Sequence, residues 1–376
     1  MKKVLHIRSG FTSGGTETLL LHLFNAPQRR FQVHLALLKD GSLIEELRPE
    51  GGNRYYRLFR KRFLDWAVIR QLIALVRREQ IEVVHTHQFI ELLYGLLLKV
   101  RYPKLQVVHH IHGMFPERDW TYRPERILSQ RFAQVVTVSQ AAKAELAERF
   151  GFEAGKIAVV DNAVRLTAGE RRTAAEARAA FTPPPDSERF NVVMVANFLW
   201  GKDHETVFRA YRDYIREQLP QVSLYFIGQE NAQSRQLVKA YLEPEDLERG
   251  RVVLCGKKPN AKALLPAFDL FLMSSYSETF GLVILEAMLM QVPVLASDIP
   301  AFREISLNGQ YCRHFKMGDA HDLFRQLRSL LAAPLAEDTA SIAEQLQSRY
   351  SFDSFIDQLH ALYEGKAFRQ ELALQG

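Results

Sequence analysis

Cysteine is scarce in this chain of 376 residues: Cys255 and Cys312 are the only two. Two isolated cysteines give neither a disulfide framework nor a C-x-x-C metal spacing, and the expected location is the reducing cytoplasm. Long apolar runs are missing as well. No window offers the ~18 uninterrupted apolar residues of a membrane span, and the longest stretch, Leu92 to Leu98, reads as a buried helix. The start lacks the form of a signal peptide, because Lys2 and Lys3 are followed only by Val4-Leu5-His6-Ile7 before Arg8 interrupts, which predicts a strand. No G-x-G-x-x-G occurs, which argues against a dinucleotide enzyme. No Asp-x-Asp occurs either, so the usual clamp of a diphosphate through a metal ion is not available.

What is present is the composition of a globular protein, 47% hydrophobic and 24% charged. The length suits two domains. The net charge of +6 is uneven. Residues 1–165 carry 26 Lys and Arg against 16 Asp and Glu, which is +10 and leaves −4 for the rest. Between Arg54 and Arg78 eight basic residues face one acid, Asp65, and they are interleaved with Phe59, Phe63, Leu64, Trp66, Ile69, Leu72, Ile73 and Val76. Apolar positions 66, 69, 73 and 76 fit helical spacing. Such a segment is either an amphipathic helix packed on its own domain or a basic face with Trp and Phe that rests on an anionic membrane. Nucleic acid is not expected, since no recognition motif accompanies the charge.

Short apolar runs alternate with helical patterns throughout. Strands are predicted at Lys3–Arg8, Gln32–Leu38, Val83–His87, Gln106–His112, Gln134–Val138 and Ile157–Val160, with helices such as Thr16–Phe24 and Ala141–Phe150 between them. The alternation breaks near residues 166–189, where an Ala/Glu/Arg stretch leads to Thr182-Pro183-Pro184-Pro185, a sequence that continues neither a helix nor a central strand. It reads as a linker. Beyond it the pattern resumes, with strands at Asn191–Val195, Ser223–Ile227, Val252–Cys255, Leu270–Met273 and Val292–Ala296. The expectation is an α/β protein of two doubly wound, Rossmann-like domains, residues 1–170 and 190–350, facing across a cleft. Chemistry is then sought beyond the carboxyl ends of the strands.

The most specific signal is Ser277-Glu278-Thr279-Phe280-Gly281-Leu282-Val283-Ile284-Leu285-Glu286-Ala287-Met288. Glu278 falls in a strand-end loop, Phe280-Gly281-Leu282 opens a helix, and Glu286 lies just over one turn inside it. Free amides at a helix start beside a glycine make an anion site. Two carboxylates eight residues apart would stand roughly 12 Å apart if wholly helical. That is too wide for the ~5–10 Å of a bond-breaking pair, but it suits one extended ligand held at two places. Lys202, in Ala196-Asn197-Phe198-Leu199-Trp200-Gly201-Lys202, follows a strand and can neutralise a diphosphate leaving group, or it is merely solvated. Gly14 and Gly15 precede a helix and permit close backbone approach, though such a pair is often only a turn. His85 and His87 share a strand face, as do His110 and His112. These and His109 read as metal ligands, as buried hydrogen-bonded histidines, or as a sugar-binding histidine at a strand end. No carboxylate or thiol lies at ligand spacing, so no metal site is assigned.

Glu278 and Glu286 reproduce the E-x7-E motif of retaining GT-B glycosyltransferases, and nearly the whole chain resembles family 4 of that group. The resemblance implies a GT-B fold and an α-linked product formed from a nucleotide sugar, UDP-linked by family frequency, without cofactor or metal. It implies that Glu278 meets the donor sugar and Glu286 the ribose, with Phe280, Gly281, Leu282, Gly14 and Gly15 lining the donor. His112 is similar to the family's active-site histidine, with His110 the runner-up, and Lys202 matches a phosphate-binding lysine. Asn197 stands where an Arg is usual, and Lys257 is a candidate to compensate. Gln291 replaces a usual glycine, and Ser139 and Asn162 either occupy the family's polar strand-end positions or, as is more common, merely cap a helix or turn. A final helix, about 352–376, would brace the N-terminal domain. The reading is a hexosyltransferase acting on a glycan or lipid-linked acceptor in bacterial surface polysaccharide or lipopolysaccharide synthesis, peripheral on the inner face of the membrane. Its rivals are a nucleotide-sugar 2-epimerase of the same architecture and a non-catalytic partner in a polysaccharide assembly complex.

Overall fold

The computed structural model describes residues 1–376 except 13, 27–29, 115–120, 167, 200, 334–338 and 367–376, and except the side chains of 168, 233 and 339. Trp200 of the quoted motif, and the end of the final helix segment, therefore lie outside the described residues. The chain divides into two units: residues 1–165 with the chain from Tyr350 on, and Leu166–Arg349.

The first unit is built on strands β1 (Lys2–Arg8), β2 (Phe31–Leu37), β3 (Arg54–Arg57), β4 (Val83–Thr86), β5 (Gln106–Ile111), β6 (Gln134–Thr137) and β7 (Ile157–Val159). They form one sheet in the order β3-β2-β1-β4-β5-β6-β7, parallel throughout. Helices cover both faces, so the central strands are buried on both sides and read as near-continuous apolar runs. Val4, Phe31, Val33 and Val83 join one core with Leu20, Phe24, Phe355, Leu359 and Tyr363. Leu5, Ile7, Val84, Leu72, Leu75 and Leu98 join the other. The late helix Phe352–Tyr363 thus packs on the first sheet, and Lys2 Nζ (2.5 Å) and Gln106 Nε2 (3.3 Å) donate to carbonyls at its end.

The second unit repeats the plan with β8 (Phe190–Val195), β9 (Val222–Ile227), β10 (Val252–Leu254), β11 (Leu270–Met273), β12 (Val294–Ser297) and β13 (Arg313–Phe315), ordered β10-β9-β8-β11-β12-β13. All of these pairings are parallel. In each sheet the strand order reverses once, between β1 and β4 and between β8 and β11. Loops leaving those strands open a crevice at that point, where doubly wound folds hold ligands.

Three local expectations need correction. Residues 166–189 are not a free linker: Ala174–Ala180 is a helix, started by a Thr173–Glu176 capping box, and it belongs to the second unit. Arg178 fastens it to the carbonyl of Ala267 (3.2 Å) and to Asp269 (3.4 Å). Strands β3 and β13 were not expected, because both are short edge strands carrying arginines, the residues that blunt an edge. In helix Trp66–Glu79 the buried stripe is Val68, Ile69, Leu72, Leu75 and Val76 rather than 66, 69, 73 and 76. Trp66 stands about 120° round the helix from Leu72 and is 72% exposed.

Candidate functional site

In the second unit the switch point is built from two loops that hold each other. Lys202, after β8, forms an antiparallel bridge with Ser275, after β11. Asp203 N–H donates to Ser274 O (3.0 Å), and Tyr276 N–H donates to Gly201 O (2.9 Å). Gly201 has φ +96°, a left-handed turn that suits glycine and lets Lys202 reverse toward the neighbouring loop. Asp203 then caps the helix His204–Ala210 through Thr206 N–H (3.1 Å), while the ring of His204 stacks on Phe198 at 3.9 Å. Lys202 and Glu278 are thereby brought into an ion pair, and Ser275 Oγ donates to the same carboxylate oxygen at 3.2 Å. The pair is reachable from solvent, with side-chain exposures of 27% and 16%. Burial pushes the Lys202 ammonium down to about 8, and the carboxylate in contact with it acts in the opposite direction.

From Glu278 the chain runs through Thr279 and the buried Phe280 to Gly281, which caps the helix Leu282–Leu289 at φ +96°. A Cβ on Gly281 would come within 2.8 Å of the Phe302 ring. Residues 278–281 are not helical, so only Leu282 to Glu286 follow the helical rise and the 12 Å figure does not apply. Glu286 is half-buried, and burial pushes its carboxyl from an ordinary 4.5 up to about 7; Lys262 opposes the shift and Glu170 reinforces it. Lys262 and Glu170 are themselves paired at 2.9 Å. Neither was singled out from the sequence, since they lie in 3-10 turns far from the motif, Ala261–Ala267 and Ala168–Glu170.

Asn197 is exposed and uses its Oδ1 to accept from Gln229 N–H (2.8 Å), tying the loop after β8 to the loop after β9. Lys257 lies exposed beyond β10. Gln291 holds φ +60°, the backbone conformation glycine supplies without strain.

In the first unit, Gly14 caps and Gly15 begins the helix Gly15–Asn25. Glu91 of the same unit is fully buried. It accepts from Ser9 N–H (2.5 Å), His87 N–H (2.7 Å) and Arg8 Nη1 (3.1 Å), which ties the ends of β1 and β4 together; Arg8 also pairs with Glu17. Burial raises the Glu91 carboxyl above its ordinary range. His112 follows β5, with its Nε2 2.9 Å from His87 Nδ1. His87 Nε2 is in turn 3.1 Å from His6 Nδ1, and His85 Nδ1 is 2.7 Å from Tyr363 Oη. Burial lowers His6 and His110 to about 3 and holds His85, His87 and His112 well below the usual imidazole range, so all five are neutral near pH 7. His109 points elsewhere, to Thr86 (2.9 Å) and Glu125 (2.8 Å). His6 was missed in the sequence because it sits inside an apolar run. Ser139 caps the helix Gln140–Phe150 through Ala142 N–H (2.9 Å), and Asn162 is buried with its Oδ1 unbonded by any described residue.

Residues 13–168 match a family model described as Glycosyltransferase Family 4, and residues 189–333 match one described as Glycosyl transferases group 1. N-acetyl-alpha-D-glucosaminyl L-malate synthase of Bacillus anthracis is 32% identical over 146 residues, which is 39% of this chain and 37% of that protein. The chain thus spans little more than a third of that relative's length. The lipopolysaccharide core biosynthesis glycosyltransferase LpsE of Rhizobium meliloti is 24% identical over 332 residues, 88% of this chain and 89% of that one. Among solved structures, HepE of Anabaena in complex with UDP and glucose superimposes with a TM-score of 0.77 at 19% identity, covering 97% of this chain and 100% of that one. This last likeness shows the fold.

Proposed function

Because the chain belongs to the glycosyltransferases of family 4 and group 1, in the two-sheet α/β architecture of their GT-B fold, we propose that it is a retaining, metal-independent hexosyltransferase using a UDP-linked donor. The observation that carries this reading is the Lys202–Glu278 ion pair at the switch point of the second sheet, beside the helix start at Gly281. Lys202 is the charge suited to a diphosphate leaving group, and the amides after Gly281 add positive potential there. A bound donor divides the pair: Lys202 turns to phosphate, and Glu278 accepts from sugar hydroxyls. Glu286, whose carboxyl titrates near pH 7, takes the ribose hydroxyls. Phe280 and Leu282 shape the same turn. Asn197 contributes no fixed charge, which leaves Lys202 as the cation of that loop.

We assign His112, Gly14 and Gly15 of the first unit to the donor as well, His112 near the reacting carbon. The acceptor hydroxyl attacks from the face the nucleotide leaves, and the departing phosphate receives its proton. No residue is assigned as a covalent nucleophile. The absence of any Asp-x-Asp in the sequence supports catalysis without a metal clamp. The acceptor is a glycan or a lipid-linked glycan of a surface polysaccharide or lipopolysaccharide, and the relative named for lipopolysaccharide core synthesis supports that setting.

A cytoplasmic, membrane-peripheral location fits the exposed Phe59, Phe63, Leu64 and Trp66 and a groove of the same unit lined by Arg70, Arg77, Arg78 and Arg101. Such a surface suits anionic lipid headgroups. No helix among the described residues is long and apolar enough to cross a membrane. The test is transfer from UDP-hexoses to lipid-linked acceptors in EDTA, with the anomeric linkage read by NMR. An α-linked product in EDTA is expected. A β-linkage would remove retention, and an absolute need for Mg2+ would remove metal independence. Epimerised UDP-sugar formed without acceptor would favour the epimerase.

A further inference from the structure

Five imidazoles from three adjacent strands gather on one side of the first sheet: His6 of β1, His85 and His87 at the end of β4, and His110 and His112 at the end of β5. His6 and His85 are register partners with rings 4.6 Å apart, and the rings of His110 and His112 are 4.0 Å apart. The potential ligand atoms of His87, His110 and His112 lie within 4.8 Å of one another, as do those of His6, His85 and His87. Two nitrogens in this group, His85 Nε2 and His110 Nε2, are buried without a hydrogen bond to any described residue. Leaving a buried polar atom unmatched is unfavourable, so two of them beside three more imidazoles mark a place suited to a ligand. Simple burial of a histidine does not need that arrangement, since a buried ring can occupy both of its nitrogens, as His109 does with Thr86 and Glu125.

We propose that His87, His110 and His112 bind one divalent transition-metal ion of the borderline class, Zn2+ above all. Imidazole suits Zn2+, whereas Mg2+ and Ca2+ require oxygen ligands, and none of the three ligands is a carboxylate. Three nitrogens at ~2.0–2.1 Å from a tetrahedral ion stand about 3.4 Å apart, so separations of up to 4.8 Å must close by as much as about 1.4 Å on binding. The fourth position stays open, as in three-histidine sites. His112, half-buried while His87 and His110 are buried, is the side from which the ion enters. Binding breaks the His87–His112 hydrogen bond, because the lone pair that accepted it goes to the metal. The site itself is independent of the transfer reading. Its consequence rests on the assignment of His112: an ion held there withdraws that ring from the donor, so the metal inhibits.

The experiment uses the full chain freed of any purification tag. Zn2+ is titrated in competition with a chelating indicator, and Co2+ is followed by its ligand-field absorption. One equivalent of Zn2+ is expected, with a Kd below about 10 µM, along with the intense visible bands of four-coordinate Co2+. His110→Asn and, separately, His87→Gln should each weaken binding on the order of 100-fold while keeping the wild-type circular dichroism, and His314→Asn in the other unit should not. Stoichiometric binding that survives both substitutions, or a Kd above about 100 µM for the wild type, overturns the site. Zn2+ bound with these properties but without loss of transfer leaves the site standing and removes His112 from the donor.

Discussion

Replacing Glu286 with Gln should flatten the pH dependence of the second unit's stability. The folded carboxyl titrates near 7 against an ordinary 4.5. Between those values the folded chain holds a proton that the unfolded chain has released, so stability falls as pH rises through that window and stays lower above it. The difference of about 2.5 units, at ~1.36 kcal/mol each, sets a ceiling of about 3 kcal/mol. Gln keeps the shape and never ionises. Relative to the wild type, Glu286→Gln should therefore gain about 1–3 kcal/mol between pH 5 and pH 8. The assay is differential scanning calorimetry of both proteins across that range, following the transition the substitution moves. Lys262→Met should steepen the wild-type slope, because Lys262 is the charge that opposes the shift. Parallel profiles for wild type and Glu286→Gln would show that Glu286 ionises as an ordinary carboxylate, and the reasoning from burial would be wrong.

Gly281→Ala combines a left-handed backbone with a 2.8 Å approach to the buried Phe302 ring, and should cost about 2–4 kcal/mol, read as a lowered transition of the second unit and loss of UDP binding. Gln291→Gly relieves a positive φ at an exposed position. It should raise that transition by about 2 °C, after the flexibility of glycine in the unfolded chain offsets part of the gain, with kcat unchanged. Phe63→Ser with Trp66→Ser should reduce sedimentation with phosphatidylglycerol vesicles by at least about tenfold, since each buried aromatic contributes about 1.5–3 kcal/mol. Equal sedimentation of the double variant would mean that this face does not meet the bilayer.

The strands nearest the two switch points were legible because burial on both faces writes them as unbroken apolar runs, as in Val4-Leu5-His6-Ile7 and Leu270-Phe271-Leu272-Met273. The edge strands at Arg54 and Arg313 were not, since an edge has only one covered side and is defended by charge. The helix at Ala174–Ala180 was hidden by the prolines that end it. At the site, local order was readable where one loop carries it, as in Glu278, Gly281 and Glu286. Contacts made through the sheet were not readable: Lys262 and Glu170 reach Glu286 from distant turns, Glu91 clasps β1 and β4 from within an apolar helix, and His6 joins the other histidines only through strand register. No spacing rule encodes those meetings.

The most direct test separates the two ends of the donor. UDP binding is measured by calorimetry, and transfer from the UDP-sugar by product mass, for Glu278→Ala and Glu286→Ala. The account predicts that Glu278→Ala abolishes transfer while UDP affinity stays within a few-fold, and that Glu286→Ala weakens UDP itself by about tenfold or more, the loss of a hydrogen bond to a charged group. Wild-type turnover in Glu278→Ala, or unchanged UDP affinity in Glu286→Ala, would contradict it.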